Sequence, residues 1–145
     1  MNVILRKSRF TLAVVTIIAG ILAGSAGMAM AAKVKVTLSG DQEAPSVSTS
    51  AKGKGTITVR ADKSVSGGIK TSGVAGKAAH IHEGAPGVSG PVIIPLKKKS
   101  GKVWSVPAGT KFTDEQYQSY EAGNLYINVH SAAHKDGEIR GQIKP

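Results

Sequence analysis

The chain has 145 residues, with 19 Lys or Arg against 9 Asp or Glu and a formal net charge of +10. It contains no cysteine, which excludes disulfides and thiolate metal sites. Its lysines are mostly scattered and only 4% of residues are aromatic, whereas nucleic-acid surfaces cluster cations and interleave stacking rings. We therefore expect no nucleic-acid partner, although the positive charge favours anionic partners in general.

The N-terminal segment has the pattern of an export signal. Three cations precede an apolar run from Leu12 to Ala23, and small residues continue as far as Ala31. A positive start, an apolar middle and a small-residue end are typical of a secretory signal peptide, here residues 1–31. The apolar run contains glycine and is short for a bilayer span of about 20 residues, so cleavage is favoured over a retained anchor. We expect an exported protein, periplasmic or extracellular, with one domain at residues 32–145.

The rest of the chain predicts strands separated by turns. Apolar and polar residues alternate in short runs bounded by Gly, Pro and Asp, at 33–38, 56–59, 64–72, 78–83, 91–96, 102–106, 125–130 and 138–143. Lys97–Lys99 is predicted to be a solvated turn. Thr113 and Gln116 have the spacing of a capping box, and Gly123 predicts the end of one short helix. The predicted fold is an all-β, antiparallel Greek-key sandwich or barrel of about eight strands with one short helix.

All four histidines fall in two short segments, which makes these segments the candidate metal site. His80 and His82 are two residues apart on a predicted strand, so both imidazoles project from the same face. Such a pair is suited to copper or zinc. His130, on a second strand, supplies a third ligand if the two strands are neighbours. His134 lies in the loop before a predicted turn and is the weakest candidate.

Four charged residues near the histidines are candidates for supporting roles. Glu83 and Asp136 could orient the imidazoles by hydrogen bonding. Glu138 and Arg140 share a strand face, where they either form an exposed salt bridge of small value or tie the strand to the first histidine segment. The histidines themselves have an alternative role, which is to stabilise loops through hydrogen bonds in a structural or adhesive module without metal.

Three blocks of sequence resemble a known family. Leu38–Pro45 comes first, Ala79–Gly84 with Gly87 and Gly90–Val92 lies in the middle, and Gly123–Ile143 ends the chain. In this order they resemble the CHRD domain, first named from chordin, over nearly the whole region after the signal. In chordin the domain belongs to an extracellular protein that binds signalling ligands, and many bacterial members are exported single-domain proteins, so the resemblance does not imply a catalytic activity. The implied partner is an extracellular protein, the Lys97–Lys99 run offers contact with an anionic surface as the weaker alternative to a solvated turn, and the oligomeric state stays open.

The chain also resembles copper/zinc superoxide dismutase more loosely. In that enzyme a His-x-His strand of a Greek-key sandwich supplies copper ligands, and His80 and His82 match this pair. The enzyme's further metal-binding histidines and aspartate have no counterparts at matching spacing, and its disulfide is impossible here. Superoxide chemistry is therefore the least favoured of three functions. The favoured one is an exported, non-catalytic binding protein with a histidine-based copper or zinc site.

Overall fold

The computed structural model describes residues 31–145, so the predicted signal peptide, apart from Ala31, lies outside the described residues. Nine strands and one α-helix make up this part of the chain. The strands are β1 (Ala32–Ser39), β2 (Lys52–Val59), β3 (Val65–Ser72), β4 (Gly76–Glu83), β5 (Val92–Pro95), β6 (Lys97–Ser100), β7 (Val103–Ser105), β8 (Leu125–Ser131) and β9 (Ile139–Ile143). The helix α1 spans Asp114–Glu121, and a short 3-10 turn at Gly40–Gln42 follows β1.

All nine strands form one antiparallel sheet in the order β5-β4-β8-β9-β1-β2-β3-β7-β6. Its two outermost strands, β5 and β6, are separated in sequence by Leu96 alone. The backbone N–H of Leu96 donates to the carbonyl of Ala79 in β4 at 2.9 Å. The segment Val92–Ser100 therefore pairs with β4 through its first half and with β7 through its second half. This continuity closes the sheet into a barrel and confirms the predicted all-β fold.

Alternation along the strands fills the barrel with aliphatic side chains. Val34, Val36 and Leu38 of β1 point inward, while the lysines and threonine between them are exposed. Ile127 and Val129 of β8 and Ile139 of β9 are fully buried in the same core. Because successive strand residues face opposite sides, burial of these positions places Asn128, His130 and Arg140 on the outer face.

The predicted helix is present with its predicted cap. The Thr113 hydroxyl accepts from the Gln116 backbone N–H at 3.2 Å, and the Gln116 side chain accepts from the Thr113 N–H at 3.0 Å. Gly123 has a φ of 72°, the left-handed conformation that ends helices and that glycine adopts without steric cost. No helix within residues 31–145 is long and apolar enough to cross a membrane.

One detail of the sequence prediction needs correction. The nine strands fit the predicted count of about eight, but Lys97–Lys99 is part of strand β6, not a turn. A run of lysines has no apolar alternation to reveal a strand. The strand forms because Lys97 and Lys98 pair with Ser105 and Trp104 of β7, a contact that the local sequence does not record.

Candidate metal centre

Strands β4 and β8 are direct neighbours, and their register brings three histidines together. His80 lies opposite Asn128, and His130 lies opposite Ala78, which is two residues before His80 and therefore on the same face of β4. Ile81, between the two β4 histidines, is fully buried in the core, so His80 and His82 point outward together. One ring nitrogen from each of His80, His82 and His130 lies within 4.8 Å of the others. The predicted His80–His82 pair thus has its third histidine beside it.

Backbone carbonyls orient two of these rings. Nδ1 of His82 donates to the carbonyl of Gly90 at 2.9 Å, and Nδ1 of His130 donates to the carbonyl of Lys135 at 2.7 Å. Because a carbonyl only accepts, both neutral rings carry their proton on Nδ1 and a lone pair on Nε2. An Nδ1–H bonded to a carbonyl is the usual arrangement behind a metal-binding histidine.

The Nε2 atoms of His82 and His130 differ in their hydrogen bonding. Nε2 of His82 is buried and has no hydrogen-bond partner, while the whole side chain is only 7% exposed. Nε2 of His130 accepts from Nδ1 of His80 at 3.0 Å. A tetrahedral Zn²⁺ at ~2.0–2.1 Å from each nitrogen separates its ligand atoms by about 3.4 Å. Because the three nitrogens already lie within 4.8 Å of one another, they must approach by at most about 1.4 Å to bind an ion.

Burial favours the neutral, metal-binding form of His80 and His82. Burial lowers the pKa of His80 below its ordinary value, and the neighbouring His130 and His82 lower it further. Burial also lowers the pKa of His82, although its hydrogen bond to Gly90 opposes the shift. Both rings are therefore uncharged at neutral pH and keep a lone pair available for an ion.

Tyr126 and Arg140 form a stack behind His82. The Tyr126 ring lies parallel to the His82 ring, with centroids 4.9 Å apart and an interplanar angle of 8°. The Arg140 guanidinium lies 3.4 Å from the Tyr126 centroid. The Tyr126 hydroxyl accepts from the N–H of Gly90 at 3.1 Å, so Gly90 is bonded to both His82 and Tyr126. This stack fixes the His82 ring and the backbone that orients it.

Arg140 is buried, with 1% exposure, and holds the loop that follows the first histidine segment. Its Nη1 donates to the carbonyl of Val88 at 2.9 Å, and its Nη2 donates to the carbonyl of Ala85 at 2.8 Å. Of the two roles predicted for Arg140, a salt bridge or a tie to the first histidine segment, the structure shows a tie, made to the loop that follows that segment. Glu138 instead accepts from the Thr49 hydroxyl at 2.8 Å and holds the loop between β1 and β2.

The remaining predicted residues lie apart from the three imidazoles. Glu83 accepts from the Ser119 hydroxyl at 2.6 Å, which ties β4 to the helix. Asp136 contributes its backbone carbonyl, which accepts from the Asn128 side chain at 3.4 Å. His134 lies in the β8–β9 loop, where its carbonyl accepts from Ser131 and Gly137, and it is outside the group of three. Carbonyls, not these carboxylates, orient the imidazoles.

Glu43 and Asn128 are additional polar residues beside the site. A Cβ added to Gly137 would lie 2.4 Å from Oε1 of Glu43 and 2.7 Å from Nδ2 of Asn128, so the two side chains meet over that glycine. Burial raises the pKa of Glu43 to about 7, although the Arg140 guanidinium opposes the shift. The alternation of β8 places Asn128 on the histidine face. Glu43 directly follows the 3-10 turn after β1 and gives no such signal.

Comparison with known proteins identifies the domain. The family model described as CHRD domain matches residues 34–143. The curated proteins and the solved structures gave no match. The matched range runs from within β1 to the end of β9, so it includes both histidine-bearing strands, the Gly90 loop and Arg140. The match spans well over half of the sequence, and the chain therefore belongs to the CHRD domain family.

Proposed function

We propose that this CHRD-domain protein is exported and that it binds one copper or zinc ion through His80, His82 and His130, in a non-catalytic role. The observation that carries the proposal is the convergence of three imidazoles from two adjacent strands, with nitrogens within 4.8 Å of one another. The buried, unpartnered Nε2 of His82 adds to it, because an unpaired buried polar atom costs about 1–3 kcal/mol unless something binds it.

The donor set favours copper or zinc over other ions. All three donors are imidazole nitrogens, which suit Zn and Cu, whereas Ca²⁺ and Mg²⁺ take oxygen ligands. His82 and His130 already have their Nδ1 atoms bonded to carbonyls, so two ligands are oriented before an ion arrives. Three protein ligands also leave a fourth position for water or another small ligand.

Isothermal titration of the chelator-treated protein with Zn²⁺ and Cu²⁺ tests this proposal. We expect near-stoichiometric uptake that is lost in His82→Ala. Because His82 is buried and its loss could disturb folding, His130→Gln, at a partly buried position, provides a second variant with the same expected loss. His134→Gln is the matched control, since its ring is outside the group of three, and it should bind as the unchanged protein does.

The titration heat can also contradict the proposal. If the unchanged protein gives no more binding heat than a variant lacking His80, His82 and His130 together, the three imidazoles do not form a metal site. Circular dichroism of each variant shows whether the fold is intact, so a loss of folding is distinguished from a loss of ligands.

A structural role is the second candidate, and the hydrogen bonds favour it. His80 bonds to His130, His130 bonds to Lys135 and His82 bonds to Gly90, so most ring nitrogens have a partner without an ion. In this role the histidines hold the loops around β4 and β8. It predicts the same melting temperature with metal and with chelator, whereas a large rise with metal argues for the metal site.

A further inference from the structure

Strands β1, β2, β3 and β6 carry lysines on their outward-facing side, which makes this part of the barrel surface strongly basic. Alternation exposes the lysines of β1, β2 and β3 while the residues next to them in the strand face the core, and all four residues of β6 are exposed. We call this surface the lysine face, and it consists of Lys33, Lys35, Lys52, Lys54, Lys70 and Lys97.

Strand register concentrates these charges instead of separating them. Lys54 of β2 lies directly opposite Lys70 of β3. Side chains that face each other across two strands have Cβ atoms about 4.5–5.5 Å apart, and like charges at this spacing destabilise the sheet. The pair therefore opposes folding, and a bound anion would relieve the repulsion.

Carboxylates are nearly absent from this surface. Strands β1, β2, β3, β6 and β7 contain no Asp or Glu. The carboxylate beside the lysine face is Asp41, which interacts with Lys52 at its edge. Within residues 31–145 the lysine–carboxylate ion pairs are Lys63 with Asp114 and Lys111 with Asp62, and neither includes a lysine of this face. Most of its charge is thus available to an external anion.

The rest of the surface indicates which kind of anion fits. Thr37, Thr56, Thr58 and Ser66 lie among the lysines and offer hydroxyl groups. A shallow groove of ≈ 410 Å³ follows Thr37, Lys52, Lys54, Lys70 and Ser72. The exposed large apolar side chains within residues 31–145 are Val88 and Val92, which lie on other strands and loops. The face therefore lacks the stacking rings of single-strand nucleic-acid sites and the apolar wedge of membrane-inserting surfaces.

We propose that the lysine face binds a linear acidic polysaccharide. The lysines pair with carboxylates repeated along the polymer, and the interleaved hydroxyls hydrogen-bond its sugar hydroxyls. Lysine is a point charge without the planar fork of arginine, which suits an extended polymer that needs no single bidentate geometry. This proposal is independent of the histidine cluster, which lies on β4 and β8.

Titration of the purified protein with polygalacturonate at low salt, in the presence of a chelator, tests the proposal. We expect binding that weakens with added salt and falls roughly 25-fold in Lys54→Gln/Lys70→Gln, since each of the two lysines near an anionic surface contributes about a factor of five. The matched control is Lys77→Gln/Lys144→Gln, which removes the same charge from exposed positions outside the lysine face and should bind within about twofold of the unchanged protein. Neutral dextran should not bind.

Four results would overturn it. These are the absence of polygalacturonate binding, equal weakening by the two double variants, equal binding of dextran, and tighter binding of single-stranded DNA or of anionic lipid vesicles than of polygalacturonate. Thermal melting provides the folding check, because Lys54→Gln/Lys70→Gln removes a like-charge pair and should not lower the melting temperature.

Discussion

Nδ1 of His80 lies 3.0 Å from Nε2 of His130, and this hydrogen bond occupies a lone pair that a metal ion would need. The proton cannot be on His130, because its Nδ1–H already bonds to the Lys135 carbonyl and the neutral ring carries one proton. His80 is therefore the donor. Binding of an ion at Nε2 of His130 replaces this bond and requires the His80 ring to turn or to move its proton to Nε2.

Acid should release metal from this cluster. The neutral imidazole is the ligand, so protonation competes with the ion. The lowered pKa values of His80 and His82 keep the neutral form populated at pH 7 and somewhat below the ordinary imidazole value of about 6.5. Zn²⁺ affinity, measured against a competing chromophoric chelator, should stay constant from about pH 8 to 7 and fall steeply towards about pH 5. A constant affinity down to that pH would contradict imidazole ligation.

Substitution of Arg140 by lysine should destabilise the domain despite keeping the charge. Lysine lacks the planar fork that bonds both Val88 and Ala85, so at least one carbonyl loses its charged partner. We expect the free energy of unfolding in urea to fall by about 1.5–3 kcal/mol. Arg60→Lys is the matched control, because Arg60 is exposed, and it should change stability by less than about 0.5 kcal/mol. Equal effects of the two substitutions would show that the Arg140 hydrogen bonds are dispensable.

Gly90→Ala should damage both stability and the histidine cluster. A Cβ at this position would lie 1.7 Å from the backbone oxygen of Glu83, so the loop must move. Because the Gly90 carbonyl orients His82, this movement should lower metal affinity along with a loss of about 1–3 kcal/mol in unfolding free energy. Gly101→Ala is the control, since nothing lies within 4 Å of the added Cβ. Urea unfolding and metal titration should leave Gly101→Ala indistinguishable from the unchanged protein.

Glu43→Gln should stabilise the protein in mildly alkaline solution. The pKa of Glu43 in the folded chain is raised from 4.5 to about 7, so the folded state binds the proton more tightly than the unfolded state. The stability linked to that proton is complete below pH 4.5 and is lost as the pH rises through about 7. Since Glu43 is partly exposed, we expect the variant to gain only about 1 kcal/mol at pH 8 and little at pH 4.

Glu121→Gln, an exposed substitution on the helix, is the control for the Glu43 experiment and should change stability by less than about 0.5 kcal/mol. Chemical denaturation at several pH values provides the measurement. If Glu43→Gln and the unchanged protein differ by the same amount at every pH, the Glu43 carboxyl does not titrate near neutrality.

Local patterns in the sequence predicted most of the fold but only part of the site. The alternation in Val34–Leu38 and Leu125–Val129 is a direct consequence of strand geometry, so it reveals both strand and buried face. The same geometry predicts that His80 and His82 point together. It cannot predict that β4 and β8 are neighbours, because 41 residues separate Glu83 from Leu125 and pairing over that distance depends on the whole barrel.

The partners of the histidines were the least predictable feature. Glu83 and Asp136 were plausible because they carry side-chain carboxylates close in sequence. The observed partners are the backbone carbonyls of Gly90 and Lys135, and every residue has a carbonyl, so no residue type marks them. Glu43 reaches the site through the loop after β1, which lacks a periodic pattern that could place it.

The arrangement of β8 within the sheet determines when the histidine cluster can exist. Its neighbour β9 also pairs with β1, so the last strand of the chain completes a sheet that the first strand begins. His80 and His82 leave the ribosome long before His130 and the Lys135 carbonyl that orients it. The cluster therefore assembles only after β8 and the loop that follows it have been synthesised and β8 has paired with β4.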